Sequence, residues 1–149
     1  FIKADAHYFD FGVKRFDLII SISTLEHLKN DKLVIDKIQK TTNKGALEIH
    51  FVPSGWGLIT YLWHGYRQYT LKRIYMLFGY KNTSVFALGG LFSFTLHFMI
   101  ITICEMILKL NLRKKFPSLY KLLLSHALHF DNLIPILPTG YVIIRKNSN

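Results

Sequence analysis

Phe16-Asp17-Leu18-Ile19-Ile20-Ser21-Ile22-Ser23-Thr24-Leu25-Glu26-His27-Leu28 reads as a strand that breaks into a polar turn and then a helix. Phe16 to Ile20 is almost wholly apolar and β-favouring, the composition of a strand covered on both faces of a parallel sheet. Ser21, Ser23 and Thr24 are short hydroxylated residues suited to bonding backbone groups where the strand ends. Ligands of open α/β sheets collect beyond the carboxyl ends of the strands, so this turn lies where a ligand is expected.

The flanking sequence repeats the alternation of strand and helix. Ile2 to Ala6 predicts a short strand. Lys32 to Thr42 predicts a helix with Leu33, Ile35 and Ile38 on its apolar face, and Asn30-Asp31 supply its cap. Asn43-Lys44-Gly45 ends that helix, with Gly45 available for positive φ, and Ala46 to Phe51 is the next strand, stopped by Pro53. Residues 1–53 therefore have βαβ spacing, which implies parallel strands. A connection rich in glycine and aromatics follows over 54–69. Thr70 caps a helix to about Phe78, and Lys72-Arg73 sit early in it, which is unfavourable for the helix dipole without a nearby anion. Residues 85–130 carry a strand and a long helical segment, and 140–146 a closing strand.

Four pieces of this order resemble class I S-adenosylmethionine-dependent methyltransferases, particularly the small-molecule group called type 11. Phe16-Asp17-Leu18-Ile19-Ile20-Ser21 with Leu25-Glu26-His27-Leu28 resembles the family's fourth-strand motif. Ala4-Asp5-Ala6 falls where the family places an acidic residue at the end of strand three. Asn43-Lys44-Gly45-Ala46 stands for the usual Lys-Pro-Gly-Gly before strand five, and the segment from His64 to Thr70 with Phe78-Gly79-Tyr80 resembles the approach to a late helix. The resemblance implies an α/β, Rossmann-like methyltransferase sheet of strands three to seven. Strand seven would lie between five and six, and a helical insertion would separate the last two strands in sequence. The family's glycine-rich loop after strand one and its acidic residue after strand two are not found. On that reading residues 1–149 are a partial methyltransferase domain whose amino-terminal cofactor half, about 80–100 residues, is missing, and which is inactive alone. A complete small protein with an accidental match is the alternative.

Half of the 149 residues are hydrophobic, so disorder is not a serious reading. The formal net charge of +10 favours anionic partners. The basic residues are scattered, and neither Lys72-Arg73 nor Arg113-Lys114-Lys115 is interleaved with stacking aromatics, which disfavours nucleic acid. Cys104 lies inside an apolar run and reads as a buried hydrophobe, and no Cys/His spacing reads as a metal site. Leu91 to Leu110 is apolar enough for a membrane span, yet it contains His97, Glu105 and Lys109. Thr95, Thr102, Glu105 and Lys109 share one stripe, the pattern of a helix buried or lying in a membrane interface. With Glu105 and Lys109 one turn apart, peripheral contact of a cytoplasmic protein with an anionic membrane is expected.

Methyl transfer is an in-line displacement that needs a rigidly held cofactor and an oriented acceptor. The resemblance implies that S-adenosylmethionine meets Asp5 and Ala6, with the Asp5 carboxylate accepting the adenine amino group, and meets Ser21 and Ile22 through backbone. His27 opens the helix after the strand and is the first candidate for a general base, or else a packing or capping residue; His64 is the second. Trp56, Arg67 and Tyr69 are candidates for binding a small or lipid-linked acceptor. A non-enzymatic, basic, membrane-associated protein with a hydrophobic helix over 91–110 is the competing reading.

Overall fold

The structure, a computed structural model, describes residues 2–57 and 65–148. β1 (Phe16–Ile22) pairs in parallel with β2 (Thr42–Pro53), and α1 (Asp31–Thr41) connects them after a single 3₁₀ turn at Leu25–His27. α2 (Leu71–Phe78) leads into β3 (Thr83–Leu88). α3 (Leu91–His97) continues as a π-helical stretch over Phe98–Ile107, followed by α4 (Leu112–Lys115), α5 (Pro117–Leu133) and β4 (Gly140–Lys146). The sheet order is β1-β2-β4-β3, with β4 antiparallel to both neighbours. The closing strand is thus inserted between its two predecessors, as the resemblance implies.

The helices lie where the caps put them. Asn30 Oδ1 accepts the Leu33 N–H at 3.0 Å and starts α1, and Thr70 Oγ1 accepts the Arg73 N–H at 3.2 Å and starts α2. The buried stripe of α1 differs by one position from the sequence expectation. Asp31, Val34, Ile35 and Ile38 are buried, while Leu33 is 41% exposed. That is the i, i+3, i+4, i+7 pattern with a carboxylate as its first member, so the burial of Asp31 sets the rotation of the helix.

Asp31 is buried because it has three partners. Arg67 Nη1 lies 2.5 Å from Oδ1, Arg73 Nη2 donates to both oxygens at 2.8 and 2.9 Å, and the Tyr69 hydroxyl donates at 2.9 Å. This is the anion that Arg73 meets early in α2. Burial alone pushes the Asp31 carboxyl up, but hydrogen bonds from Arg73 and Tyr69 and the two guanidinium charges outweigh it and hold the group below its ordinary value. The apolar cluster Leu25, Ile35, Val52, Tyr69, Ile74, Phe78 and Ile143 fills the rest of this layer.

Three expectations are corrected. Ile2 to Ala6 is not a strand, because the Asp5 carbonyl accepts the Tyr8 and Phe9 N–H groups at 3.1 and 2.9 Å and closes a turn instead. β1 is not covered on both faces. It is an edge strand among the described residues, and Leu18, Ile20 and Ile22, which share its second face, are 51%, 53% and 65% exposed. Glu105 pairs with Arg113 rather than Lys109, at 2.6 Å, because the helix ends at Ile107 and Lys109 takes φ +56 in the turn beyond. Among the described residues no helix is long and apolar enough to cross a membrane.

Asp31→Asn should lower the unfolding free energy at pH 7 by about 3 kcal/mol, since it strips a buried charge from two guanidinium groups. The Asp31 carboxyl is held below its unfolded value, so its contribution is complete above about pH 4 and vanishes as pH falls through the folded pKa. Urea unfolding of both proteins from pH 7 to pH 2.5 should show the gap between them closing. Equal stabilities at pH 7 would remove Asp31 from this role.

Candidate functional site

A cavity of about 550 Å³ opens where β1 and β2 reach their carboxyl ends. Ile22, Phe51 and Leu88 form its floor, and Phe94, His97, Leu124 and Leu128 descend into it from α3 and α5. Ser23 stands at the rim with φ +46, and its N–H donates to the Phe51 carbonyl at 3.1 Å. A non-glycine residue held in that conformation turns the chain sharply away from the sheet at the place a ligand occupies in such folds.

The roof is fastened by one buried carboxylate. Asp131 of α5 accepts the Phe92 N–H at 2.8 Å and the Ser93 N–H at 3.1 Å, capping α3 from outside its own chain segment. Gly90 is required here, because a Cβ would lie 2.6 Å from Asp131 Oδ1. His97, the last residue of α3, is half-buried. Burial first, and then the positive charge of Arg113, lower the pKa of its imidazole, which is therefore neutral at pH 7.

A second cleft of about 510 Å³ brings together Asp5, His27, Asn30 and Tyr66. Asp5 Oδ1 accepts the His7 backbone N–H at 2.9 Å and lies 2.8 Å from His7 Nδ1. The Asn30 N–H lies 3.2 Å from His7 Nε2, so that nitrogen accepts and Nδ1 donates to Asp5. The backbone and ring bonds from His7 hold the Asp5 carboxyl below its ordinary value, so it is an ionised acceptor open to solvent. Ala6 follows in the same turn. His27 is half-exposed beside it, its Nε2 4.0 Å from Glu26 Oε1.

The remaining sequence candidates are dispersed. Ile22 lines the apolar cavity, whereas the Ser21 hydroxyl faces the covered side of the sheet and lies 2.7 Å from His50 Nδ1. Arg67 and Tyr69 are engaged by Asp31. Arg67 also donates to the Lys29 carbonyl at 2.6 Å, and Tyr69 is fully buried, so its ring offers no surface to an acceptor. Burial and the bond to Asp31 raise the Tyr69 phenol well above its ordinary pKa, which keeps it a donor. Trp56 is half-exposed, with its backbone N–H donating to Ser54 Oγ at 3.2 Å. His64 lies outside the described residues. Sequence reasoning passed over Ser23 as a ligand group and assigned His97 to core or interface. The available signal was that His97 is the sole imidazole or charged side chain between Leu91 and Ile103.

No protein-family model and no curated protein sequence matches the chain, and the likeness to known proteins is structural. Phosphoethanolamine N-methyltransferase 2 of Haemonchus contortus, solved with phosphomonomethylethanolamine and S-adenosylhomocysteine, superposes with a TM-score of 0.54 at 18% identity, over 97% of this chain and 36% of that one. The plantazolicin methyltransferase BpumL with S-adenosylhomocysteine gives 0.54 at 12% identity, over 99% and 58%. The [4+2]-cyclase SpnF gives 0.53 at 13%, over 98% and 56%. The fold is that of the class I methyltransferases, and the chain spans between 36% and 58% of the length of these three.

Asp131→Ala should cost about 1–2 kcal/mol, the worth of an external helix cap, and should speed amide exchange at Phe92 and Ser93 selectively. Asp131→Asn, which keeps one acceptor oxygen, should recover part of the loss. Unchanged exchange at both amides would show that the roof is fastened elsewhere.

Proposed function

We propose that this chain takes part in S-adenosylmethionine-dependent methyl transfer to a small-molecule acceptor. The observation that carries the reading is the strand order β1-β2-β4-β3 with an antiparallel β4 inserted, built around an apolar cavity at the strands' carboxyl ends. The structures it resembles include two that hold S-adenosylhomocysteine, the product left after such a transfer.

When bound, the cofactor supplies a methyl group on an already activated sulfonium. The residues of this chain have simpler tasks. Asp5 fits an adenine amino group, being ionised and solvent-facing, with Ala6 beside it. Ser21 and Ile22 border the cofactor's amino-acid portion through backbone. His27, in the cleft with Asp5, and His64 are the candidates to take a proton from the acceptor. Trp56 flanks the acceptor. Arg67 and Tyr69 serve at one remove, holding the loop from Gly65 to Thr70 onto Asp31.

Titrating S-adenosylhomocysteine into the isotope-labelled chain tests this by nuclear magnetic resonance. Amide shifts should concentrate at Asp5, Ala6 and the segment from Ser21 to Thr24. The affinity should be weak, in the range of about 1 mM, the weak end for metabolite sites, because no glycine-rich loop contributes. Asp5→Ala should weaken it by about 1–3 kcal/mol. Shifts confined to other surfaces would overturn the reading.

Peripheral contact with an anionic membrane is a further part of the proposal. Met106, Ile107, Leu108 and Leu110 are exposed beside Lys109 and the run Arg113-Lys114-Lys115. Such a tip should bind vesicles containing phosphatidylserine and release them as salt rises. Equal binding to neutral vesicles at high salt would count against an electrostatic contact.

A further inference from the structure

We infer that the cavity beneath α3 and α5 binds a flat, uncharged, largely apolar acceptor that presents one hydrogen-bonding group to the His97 imidazole. This deepens the methyl-transfer reading and rests on it for what the occupant is for. Whether the cavity binds is independent of that reading.

Four observations on the cavity carry the inference. Its volume of about 550 Å³ lies within the range of small-molecule sites. Its described lining contains no Lys, Arg, Asp or Glu, and Arg113, whose charge reaches His97 from outside that lining, is engaged by Glu105, so a phosphate, carboxylate or ammonium entering the cavity would lose water and meet no opposite charge in its walls. Two aromatic rings, Phe51 and Phe94, stand among aliphatic side chains, which suits the face of a planar ring. The polar side chains are mostly spent. Ser93 Oγ accepts the Gly90 N–H at 3.1 Å, and Thr139 Oγ1 donates to the Leu88 carbonyl at 3.0 Å. Among the described lining residues, the His97 imidazole and the Ser23 hydroxyl keep unspent hydrogen-bonding capacity.

The two sit differently. Ser23 is at the rim, at the strand end where the cofactor portion is expected, and is exposed. His97 is deeper, on the roof helix, and its lowered pKa leaves the ring uncharged at pH 7 with one nitrogen able to accept. A phenolic acceptor hydroxyl would donate to that nitrogen. In such a transfer the acceptor O–H proton would pass to His97 while the acceptor oxygen took the methyl carbon, the carbon–sulfur bond of the bound sulfonium breaking to leave a neutral thioether. His97 would then touch the reacting oxygen in place of His27 or His64, and the His27 cleft, which it shares with Asp5, would serve the cofactor side.

Three probes sharing one ring system separate these points: 2-naphthol, naphthalene and 2-naphthyl phosphate, titrated into the full chain labelled at histidine. The expected result is that 2-naphthol moves the His97 ring resonances and leaves those of His27 in place. It should bind about tenfold more tightly than naphthalene, the worth of one buried hydrogen bond, and 2-naphthyl phosphate should not compete with it. His97→Phe should reduce 2-naphthol to the affinity of naphthalene, and Leu128→Trp should block both. The wild-type resonances decide the matter even if a variant fails to fold. Equal binding of 2-naphthol and naphthalene, tight binding of the phosphate, or shifts at His27 instead of His97 would each overturn the inference. Naphthol binding without any response to S-adenosylhomocysteine would sustain the site and overturn the methyl-transfer reading alone.

Discussion

A single buried carboxylate organises the layer on which the sheet rests. Asp31 opens α1, and its partners come from the loop before α2 and from the first turn of α2 itself. Removing a carboxylate from water costs several kcal/mol, and only partners of this number and geometry offset it. The consequence is positional. Once Asp31 is fixed, the rotation of α1, the path of residues 65–70 and the seating of Ile74 and Phe78 against the sheet follow from it. Gly65, at φ +75 and packed on the Glu26 backbone, and the bond from the Tyr66 N–H to the Glu26 carbonyl at 2.7 Å bring that loop to the turn carrying His27.

The covered face of the sheet follows the same rule of pairing charges. Glu48 on β2 receives Arg145 of β4 at 2.8 Å, and His50, two residues along, meets Ser21 of β1. These side chains alternate with the apolar ones that face the other way, so β2, which reads as semi-polar, is the most buried strand among the described residues. The alternation also explains the exposure of Leu18, Ile20 and Ile22: the helical layer described here lies against their neighbours Ile19 and Ser21.

Much of the architecture was legible because local signals and global order agree. The apolar runs at Phe16 and Ala46, the Asn30 and Thr70 caps and the closing strand from Gly140 each fall within a few residues of their sequence limits. What was not legible depends on contacts distant in sequence. Asp31 looked like a cap, and Arg67 and Tyr69 looked like ligand groups, because the bonds joining them span 36 to 42 residues, and no local period records such a pairing. Leu33 was placed inside because the stripe of a short helix is ambiguous by one position until something fixes its rotation. Ile2 to Ala6 has the composition of a strand, but the Asp5 carbonyl closes a turn on Tyr8 and Phe9. His97 became part of a cavity only when α3 folded over the strand ends.

Among the described residues, the insertion that makes that roof is held together chiefly by its own contacts. Asp131 binds α3 to α5, Gly89 and Gly90 allow the close approach, and the Leu91 N–H to Ile136 carbonyl bond closes the segment on itself at 3.0 Å. The roof is therefore a self-consistent unit hung from the ends of β3 and β4, while the sheet edge below it is set by other forces. Phe94, Leu124 and Leu128 line the cavity and stand outside the apolar cluster around Tyr69 and Ile74. In evolutionary terms the chemistry of the pocket and the stability of the scaffold are separable traits, and a lineage could change what the cavity accepts while leaving the turn at Ser23 as it is.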